Sequence, residues 1–245
     1  MFENSDDDWE TYGAENPYWG VMSNEKFLAE NLDDQAMADF WASGEHDIDT
    51  VFQTIERHVD PGFQPRQVLD FGCGVGRLLF PISRRCEHAT GVDVSPSMLA
   101  EAKRQAAGKS ITNVSFIETN DCRELGEQQY CLVHSYIVFQ HIPEDRGYVL
   151  LDRLLASLRS GGVGVLHFTF SNRRFWYWRL LRRIPFNKQL RNLLKGRALN
   201  APHMQMNEYD LNIIMKKLWL QGASNIHVTF TDHGVIGAII YFQKA

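Results

Sequence analysis

Between Val68 and Arg77 the chain reads Val-Leu-Asp-Phe-Gly-Cys-Gly-Val-Gly-Arg, an apolar strand that breaks into a turn with glycine at every second position. A second apolar run, Ala89 to Val94, follows and carries Asp93 near its end. Alternate glycines let the main chain approach a ligand with no Cβ in the way, and an acid closing the next strand can accept both hydroxyls of a ribose. Few folds offer a strand, a three-glycine turn and an acid in that order. The pattern describes a nucleoside cradle at the carboxyl edge of a parallel sheet.

The rest of the chain supplies the sheet. Val68 to Phe71 reads as a buried strand, and Leu78, Leu79 and Ile82 mark one face of a helix. Ala89 to Val94 is a second strand, and Ser95-Pro96 opens a helix with a hydroxyl cap and proline at the first helical position. Val114 to Ile117 and Cys131 to Ile137 read as third and fourth strands. Leu150, Leu151, Leu154, Leu155 and Leu158 stripe a helix expected to run to Gly161-Gly162, and Val163 to Phe170 is a fifth strand. Leu211, Ile214, Met215 and Leu218 mark another helix, closed by Gly222. Ile226 to Thr231 and Val235 to Phe242 are joined by Asp232-His233-Gly234, a hairpin signal. The expected fold class is α/β: a doubly wound, seven-stranded, mostly parallel sheet with an antiparallel C-terminal hairpin, covered by helices on both faces.

Four divisions follow: 1–64, an acidic N-terminal arm and cap helices; 65–170, the cradle-bearing core; 171–206, a basic aromatic insertion; and 207–245, a helix and hairpin completing the sheet. Met1 to Glu15 reads as a frayed arm. Ser23 can cap a helix carrying Phe27 and Leu28; Met37, Phe40 and Trp41 could line a second; and Ile48, Val51, Phe52, Ile55 and Val59 a third, stopped by Pro61-Gly62. Residues 1–60 hold sixteen acids against Lys26 and Arg57, although the whole chain carries only −5. Compensation sits in one block, Arg173 to Arg197, in which nine basic residues occur with no acid among them. Cys73, Cys86, Cys122 and Cys131 form no CxxC pair, so neither zinc nor a disulfide framework is indicated, and no acid cluster suggests another metal. The N-terminus lacks the basic-then-apolar order of a signal peptide and no apolar run approaches a membrane span, so the expected location is cytoplasmic.

The glycine spacing discriminates between nucleoside cofactors. A dinucleotide fingerprint runs G-x-G-x-x-G. Here Asp70 precedes Gly72, Gly74 and Gly76, so the third glycine comes one place early and an acid points toward the turn. That acid would repel a pyrophosphate and suits a cationic ligand bearing an ammonium group, as S-adenosylmethionine does. On these residues the chain resembles class I S-adenosylmethionine-dependent methyltransferases, in particular the bacterial group with type 11 or 12 methyltransferase domains, over about Gln67 to Phe170. The resemblance implies a Rossmann-like methyltransferase fold and S-adenosylmethionine as cofactor. It implies cofactor binding by Asp70, Gly72, Gly74, Gly76 and the ribose acid Asp93. Val94 would lie against the adenine, Asp121 and Cys122 beside its amino group and ring, and the backbone around Tyr136 near the methionine end. Cys131 stands where many members have an acid, and Phe71 where Ile or Leu is frequent; neither position touches the cofactor.

Methyl transfer to a hydroxyl needs alignment and a proton acceptor. Val138 to Pro143 follows the fourth strand at the edge where open α/β sheets hold their ligands. His141 is the candidate base, with Gln140 positioning substrate or cofactor; a histidine capping the next helix is the competing role. His134 and His167 read as packing residues, and His203 as a residue that could face the acceptor. The insertion, with Phe175-Trp176-Tyr177-Trp178 among its arginines, is expected to form a lid over the acceptor together with the N-terminal helices, Tyr18 and Trp19 included. Its arginines could equally pair with the acidic N-terminal segment, or 173–197 could rest on an anionic membrane and serve a lipid-linked glycan. Nucleic acid is argued against by the acidic remainder and the lack of a recognisable RNA-binding module. The expected activity is methyl transfer to a small-molecule or sugar-like acceptor, at oxygen. Its rivals are an inactive methyltransferase-like binding or scaffolding subunit and an NAD-dependent oxidoreductase.

Overall fold

The computed structural model describes residues 5–171 and 204–245. Seven strands lie in the order β3-β2-β1-β4-β5-β7-β6. They are β1 (Gln67–Phe71), β2 (His88–Asp93), β3 (Val114–Glu118), β4 (Tyr130–Ser135), β5 (Leu158–Ser171), β6 (Ala223–Asp232) and β7 (Ile236–Lys244). The first five run parallel, β7 returns antiparallel beside β5, and β6 pairs with β7 across the Asp232-His233-Gly234 turn. This is the α/β arrangement that the strand-and-helix alternation implies.

Side-chain alternation along the strands builds one apolar layer on each face. Leu69, Val133, Leu166 and Ile240 point to one side, against α6 (Glu144–Ser157) and α7 (Leu211–Leu220), which bring Leu150, Leu151, Leu154, Leu155, Ile214 and Leu218. Val68, Leu132, Val165 and Tyr241 point to the other. They meet α3 (Asp34–His58), α4 (Leu79–Ser83) and α5 (Pro96–Gly108) through Ile48, Val51, Ile55, Leu79, Ile82 and Leu99. Each such side chain contributes roughly 1.5–3 kcal/mol by leaving water. The expected caps on α5 are present, with Ser95 Oγ accepting from Met98 N–H and Pro96 at the first helical position.

Three boundaries differ from expectation. The leucine stripe ends at Ser157, and Leu158 opens β5, because the carbonyls of Ala156 and Ser157 are taken by the N–H groups of Gln128 and Gln129. The two helices expected around Phe40 and Ile48 are one helix, α3, capped by Asp33 and running through Gly44. Gly44 is there for close approach: a Cβ would lie 2.2 Å from the carbonyl oxygen of Arg77. Where Ser23 was expected to cap a helix, Asn24 caps a short 3-10 turn, Glu25–Phe27.

The largest correction is at the N-terminus. The expected frayed arm is a docked helix, α1 (Ser5–Glu15), followed by α2 (Pro17–Val21). Glu10 accepts from Ser95 Oγ (2.7 Å), Ser97 N (3.1 Å) and Ser97 Oγ (2.5 Å), and so pins α1 to the start of α5. Asp6 pairs with Arg146 at 2.6 Å. Tyr12, Tyr18, Phe27, Phe40 and Met98 close over Val75 of the glycine turn. Acids of the N-terminal segment pair with core arginines, Asp47 with Arg77, Glu45 with Arg84 and Asp49 with Arg85. The basic block at 173–197 lies outside the described residues, as do His203 and nearly all of the expected lid. No described helix is long and apolar enough to cross a membrane.

Candidate active site

The carboxyl ends of β1, β2 and β4, roofed by α1 and α2, enclose a cavity of about 650 Å³, within the size range of small-molecule sites. Of the residues singled out in the sequence, Asp70, Gly72, Gly74, Asp93, Val94, Tyr136, Gln140 and His141 line it. Gly76 does not; its φ of +91° turns the chain toward α4, and the Phe80 ring lies where a Cβ would be. Gly72 and Gly74 also take positive φ, +75° and +52°, which only glycine adopts readily. At Gly72 a Cβ would fall 2.3 Å from a Val138 methyl, so a side chain there would push the post-β4 loop out of the cavity wall.

Asp93 ends β2 and braces the turn. Its Oδ2 accepts from Gly74 N–H at 2.9 Å and its Oδ1 from Ser95 N–H at 3.0 Å. Burial, more than any neighbour, raises its carboxyl above the usual carboxylate range. Asp70 is also buried, and β1 and β4 pair in a register that sets it directly beside His134. His134 Nδ1 lies 2.7 Å from Asp70 Oδ1, while Asp70 Oδ2 is buried with no partner among the described residues. His134 was expected only to pack; in the structure it holds one oxygen of the carboxylate. Cys73 lines the same wall, and burial holds its thiol well above the ordinary value, so it stays protonated.

On the side of β3 the wall is made by Thr119 and Asn120. Asp121 and Cys122 stand outside the cavity lining: the Asp121 carboxylate faces Arg123 (2.7 Å) and Arg153 (3.4 Å), and Cys122 is packed in the core. Tyr18 stays outside the lining as well, bonded to Glu101 and Gln105, and the enclosure comes instead from Trp9, Gly20, Val21 and Met22. Met204 and Met206 line the cavity beside them.

His141 lies in a short 3-10 turn, Phe139–His141, rather than capping α6, which has no side-chain cap. Its Nδ1 is 2.7 Å from the Gln205 carbonyl, which fixes the proton on Nδ1. Nε2 then carries the lone pair and accepts from the Gln140 amide at 3.2 Å. Gln140 Oε1 accepts from Thr169 Oγ1 at 2.7 Å, and Trp9 closes edge-on over the imidazole at 4.9 Å. Desolvation lowers the ring to about 4. His167, bonded through Nε2 to Thr231 and likewise buried, is lowered to about 4.

These two rings make stability depend on pH. Their folded-state pKa lies below the unfolded value, so the unfolded chain takes up protons first as pH falls. Stability is full above about 6.5 and declines toward 4, by up to about 3 kcal/mol for each ring. Thermal unfolding should shift downward between pH 7 and pH 5, and His141→Gln or His167→Gln should flatten that slope. A slope unchanged from wild type in both variants would contradict it.

Among the described residues no group of three or more His, Cys, Asp or Glu could hold a metal. Residues 68–162 match the methyltransferase domain family. The chain is 32% identical over 129 residues to carboxy-S-adenosyl-L-methionine synthase of an Enterobacter species, covering 51% of each protein. It is 35% identical over 101 residues to trans-aconitate 2-methyltransferase of Rhodopseudomonas palustris, covering 40% of this chain and 37% of that protein. The chain thus spans about half, or less, of the curated relatives it matches. In fold it is similar to magnesium protoporphyrin IX methyltransferase from Synechocystis, crystallised with bound SAH, with a TM-score of 0.64, 18% identity, and 98% and 97% of the two chains covered. Residues 68–162 are therefore similar to a methyltransferase domain, and the sheet around them has the fold of the Synechocystis enzyme.

Proposed function

We propose that the chain is an S-adenosylmethionine-dependent methyltransferase that methylates a small-molecule acceptor at oxygen. The observation that carries this reading is the unpartnered, buried Oδ2 of Asp70 in the wall of the cradle. A buried carboxylate oxygen without a donor is costly, and the ammonium of S-adenosylmethionine is the donor it lacks. A dinucleotide would instead bring a pyrophosphate up to Asp70 and Asp93 together. The residues fit the sulfonium nucleoside and disfavour the dinucleotide.

In this reading Asp70 holds the ammonium, Asp93 the ribose hydroxyls, and the glycine turn admits the nucleoside without a Cβ between. Val94, Thr119 and Asn120 flank the base. The cofactor, when bound, supplies an electrophilic methyl group on a sulfonium. The protein's part is alignment, exclusion of water by α1 and α2, and removal of the acceptor proton. For the last we retain His141: Gln205 holds its tautomer, and its one lone pair, on Nε2, takes the acceptor proton when the Gln140 amide turns away from it. Four free thiols suit a reducing cytoplasm. The glycan and membrane alternative turns on 173–197, outside the described residues.

The test is to incubate the protein with methyl-labelled S-adenosylmethionine and host metabolite extract and follow products by mass spectrometry. A labelled product whose mass rises by one methyl group supports the reading. Cofactor binding without transfer to any extract component would favour the inactive binding subunit.

A further inference from the structure

The same cavity has a second polar wall whose side chains the cofactor reading leaves unused, since it calls only on the backbone around Tyr136. Arg77, the residue after the last glycine of the turn, is buried, with its side chain only 6% exposed, yet it lines the cavity. Among the described residues both of its hydrogen bonds leave from one nitrogen: Nη1 donates to Ser43 Oγ (3.1 Å) and to Asp47 Oδ2 (2.7 Å). Nε is buried with no partner. The edge formed by Nε and Nη2, with two parallel N–H groups, is therefore unfilled. That edge matches the two oxygens of a carboxylate.

Tyr136 and His233 complete the wall. Tyr136 Oη and His233 Nε2 lie 3.0 Å apart, and both residues line the cavity. When His233 Nε2–H donates to Tyr136 Oη, the phenol O–H remains free to donate beside it. Burial, with Asp47 nearby, pushes the Tyr136 hydroxyl up to about 12, so it keeps its proton.

The strand order separates this wall from the cradle. Asp93 ends β2, on one side of β1, whereas His233 sits on the turn into β7, beyond β4 and β5 on the other. A cofactor spanning Asp70 and Asp93 lies over β1 and β2. A group held by Arg77 and the Tyr136–His233 pair lies toward β4 and β7, where an acceptor has to approach. Trp9, Met22, Met204 and Met206 line the space with apolar surface.

We infer that Arg77, with the Tyr136–His233 pair, is a carboxylate-binding subsite, so that the acceptor is an organic acid with an apolar or aromatic body. This inference rests on the methyltransferase reading for the word acceptor, but not for the subsite itself. Asp47 sits on Nη1 rather than on the free edge, and from the cavity rim, where its side chain is 36% exposed, it offsets part of the guanidinium charge. It sets how tightly an acid is held.

Benzoate and its neutral counterpart benzamide test the subsite on the full chain, by ligand-observed saturation-transfer NMR with and without saturating S-adenosylhomocysteine. Benzoate should bind about tenfold or more tightly than benzamide, as expected for a charge-assisted pair, and should stay bound when S-adenosylhomocysteine is added. Arg77→Met should remove the preference and leave S-adenosylhomocysteine affinity within about threefold, since the lost contacts belong to the other wall. Because a buried arginine can matter for folding, Asp47→Asn is the second variant. Removing the opposing charge should tighten benzoate binding, which a merely structural Arg77–Asp47 staple does not predict.

Equal binding of benzoate and benzamide, or unchanged benzoate affinity in Asp47→Asn, overturns the inference. So does displacement of benzoate by S-adenosylhomocysteine, or loss of S-adenosylhomocysteine affinity in a folded Arg77→Met protein, because the edge then serves the cofactor's own carboxylate. Failure of the wild-type protein to bind S-adenosylhomocysteine while still preferring benzoate would remove the methyltransferase reading and leave the subsite standing.

Discussion

Asp93→Ala should abolish binding of S-adenosylmethionine and S-adenosylhomocysteine while leaving the protein folded. An ionised carboxylate has about four lone-pair positions. Two are taken by Gly74 and Ser95 N–H, leaving two for the ribose diol. Hydrogen bonds to a charged group contribute about 1.5–3 kcal/mol each, so their joint loss is about 3–6 kcal/mol, a hundredfold weakening or more. The glycine turn also loses a brace, since Gly74 N–H is left without its acceptor. Stability should change less than affinity. Burial already raises this carboxyl above its ordinary range, so the folded state carries an ionisation cost that alanine removes. Asp93→Asn, which keeps one acceptor oxygen, should fall between wild type and alanine. Calorimetric titration with S-adenosylhomocysteine, beside a thermal melt, separates the two effects. An alanine variant that binds within a few-fold of wild type would remove Asp93 from the site.

His141→Ala should slow methyl transfer by about a hundred- to ten-thousandfold, the usual contribution of a general base, and spare cofactor affinity. The Nδ1 proton is held by the Gln205 carbonyl and the one lone pair, on Nε2, accepts from the Gln140 amide, so that bond must open before the ring takes the acceptor proton. With its pKa lowered to about 4 by desolvation, it is neutral throughout the working range. The rate should therefore be flat with pH from about 5.5 upward in any limb assigned to this ring. Loss of activity as pH falls through 6.5 would mean a solvated imidazole, contrary to its burial. A variant that keeps full turnover with the true acceptor would assign His141 to packing under Trp9.

The cradle was legible in the sequence because its geometry is local. Glycines at positive φ, a strand before them and an acid closing the next strand are all set within some twenty-five residues. The hairpin at Asp232-His233-Gly234 and the cap at Ser95 were legible for the same reason. What escaped depends on contacts distant along the chain. His134 looked like packing because its partner, Asp70, lies on a neighbouring strand; only the β1–β4 register brings them to 2.7 Å. Residues 5–15 looked frayed because their acids bind serines and an arginine from α5 and α6. The single helix α3 was read as two, and the reason Gly44 stands within it, the Arg77 backbone, lies in another element. Arg77 itself passed as the residue after the motif. Its partners, Ser43 and Asp47, lie in α3, too distant along the chain for any local pattern to pair them.

The cradle's preference for a sulfonium nucleoside is tested most directly by titrating the wild-type protein with S-adenosylmethionine and with NAD in parallel, by calorimetry. Saturable one-to-one binding of S-adenosylmethionine, with no heat from NAD beyond dilution, is the expected result. Binding of NAD in place of S-adenosylmethionine would mean that Asp70 does not exclude a pyrophosphate and that the cofactor assignment is wrong.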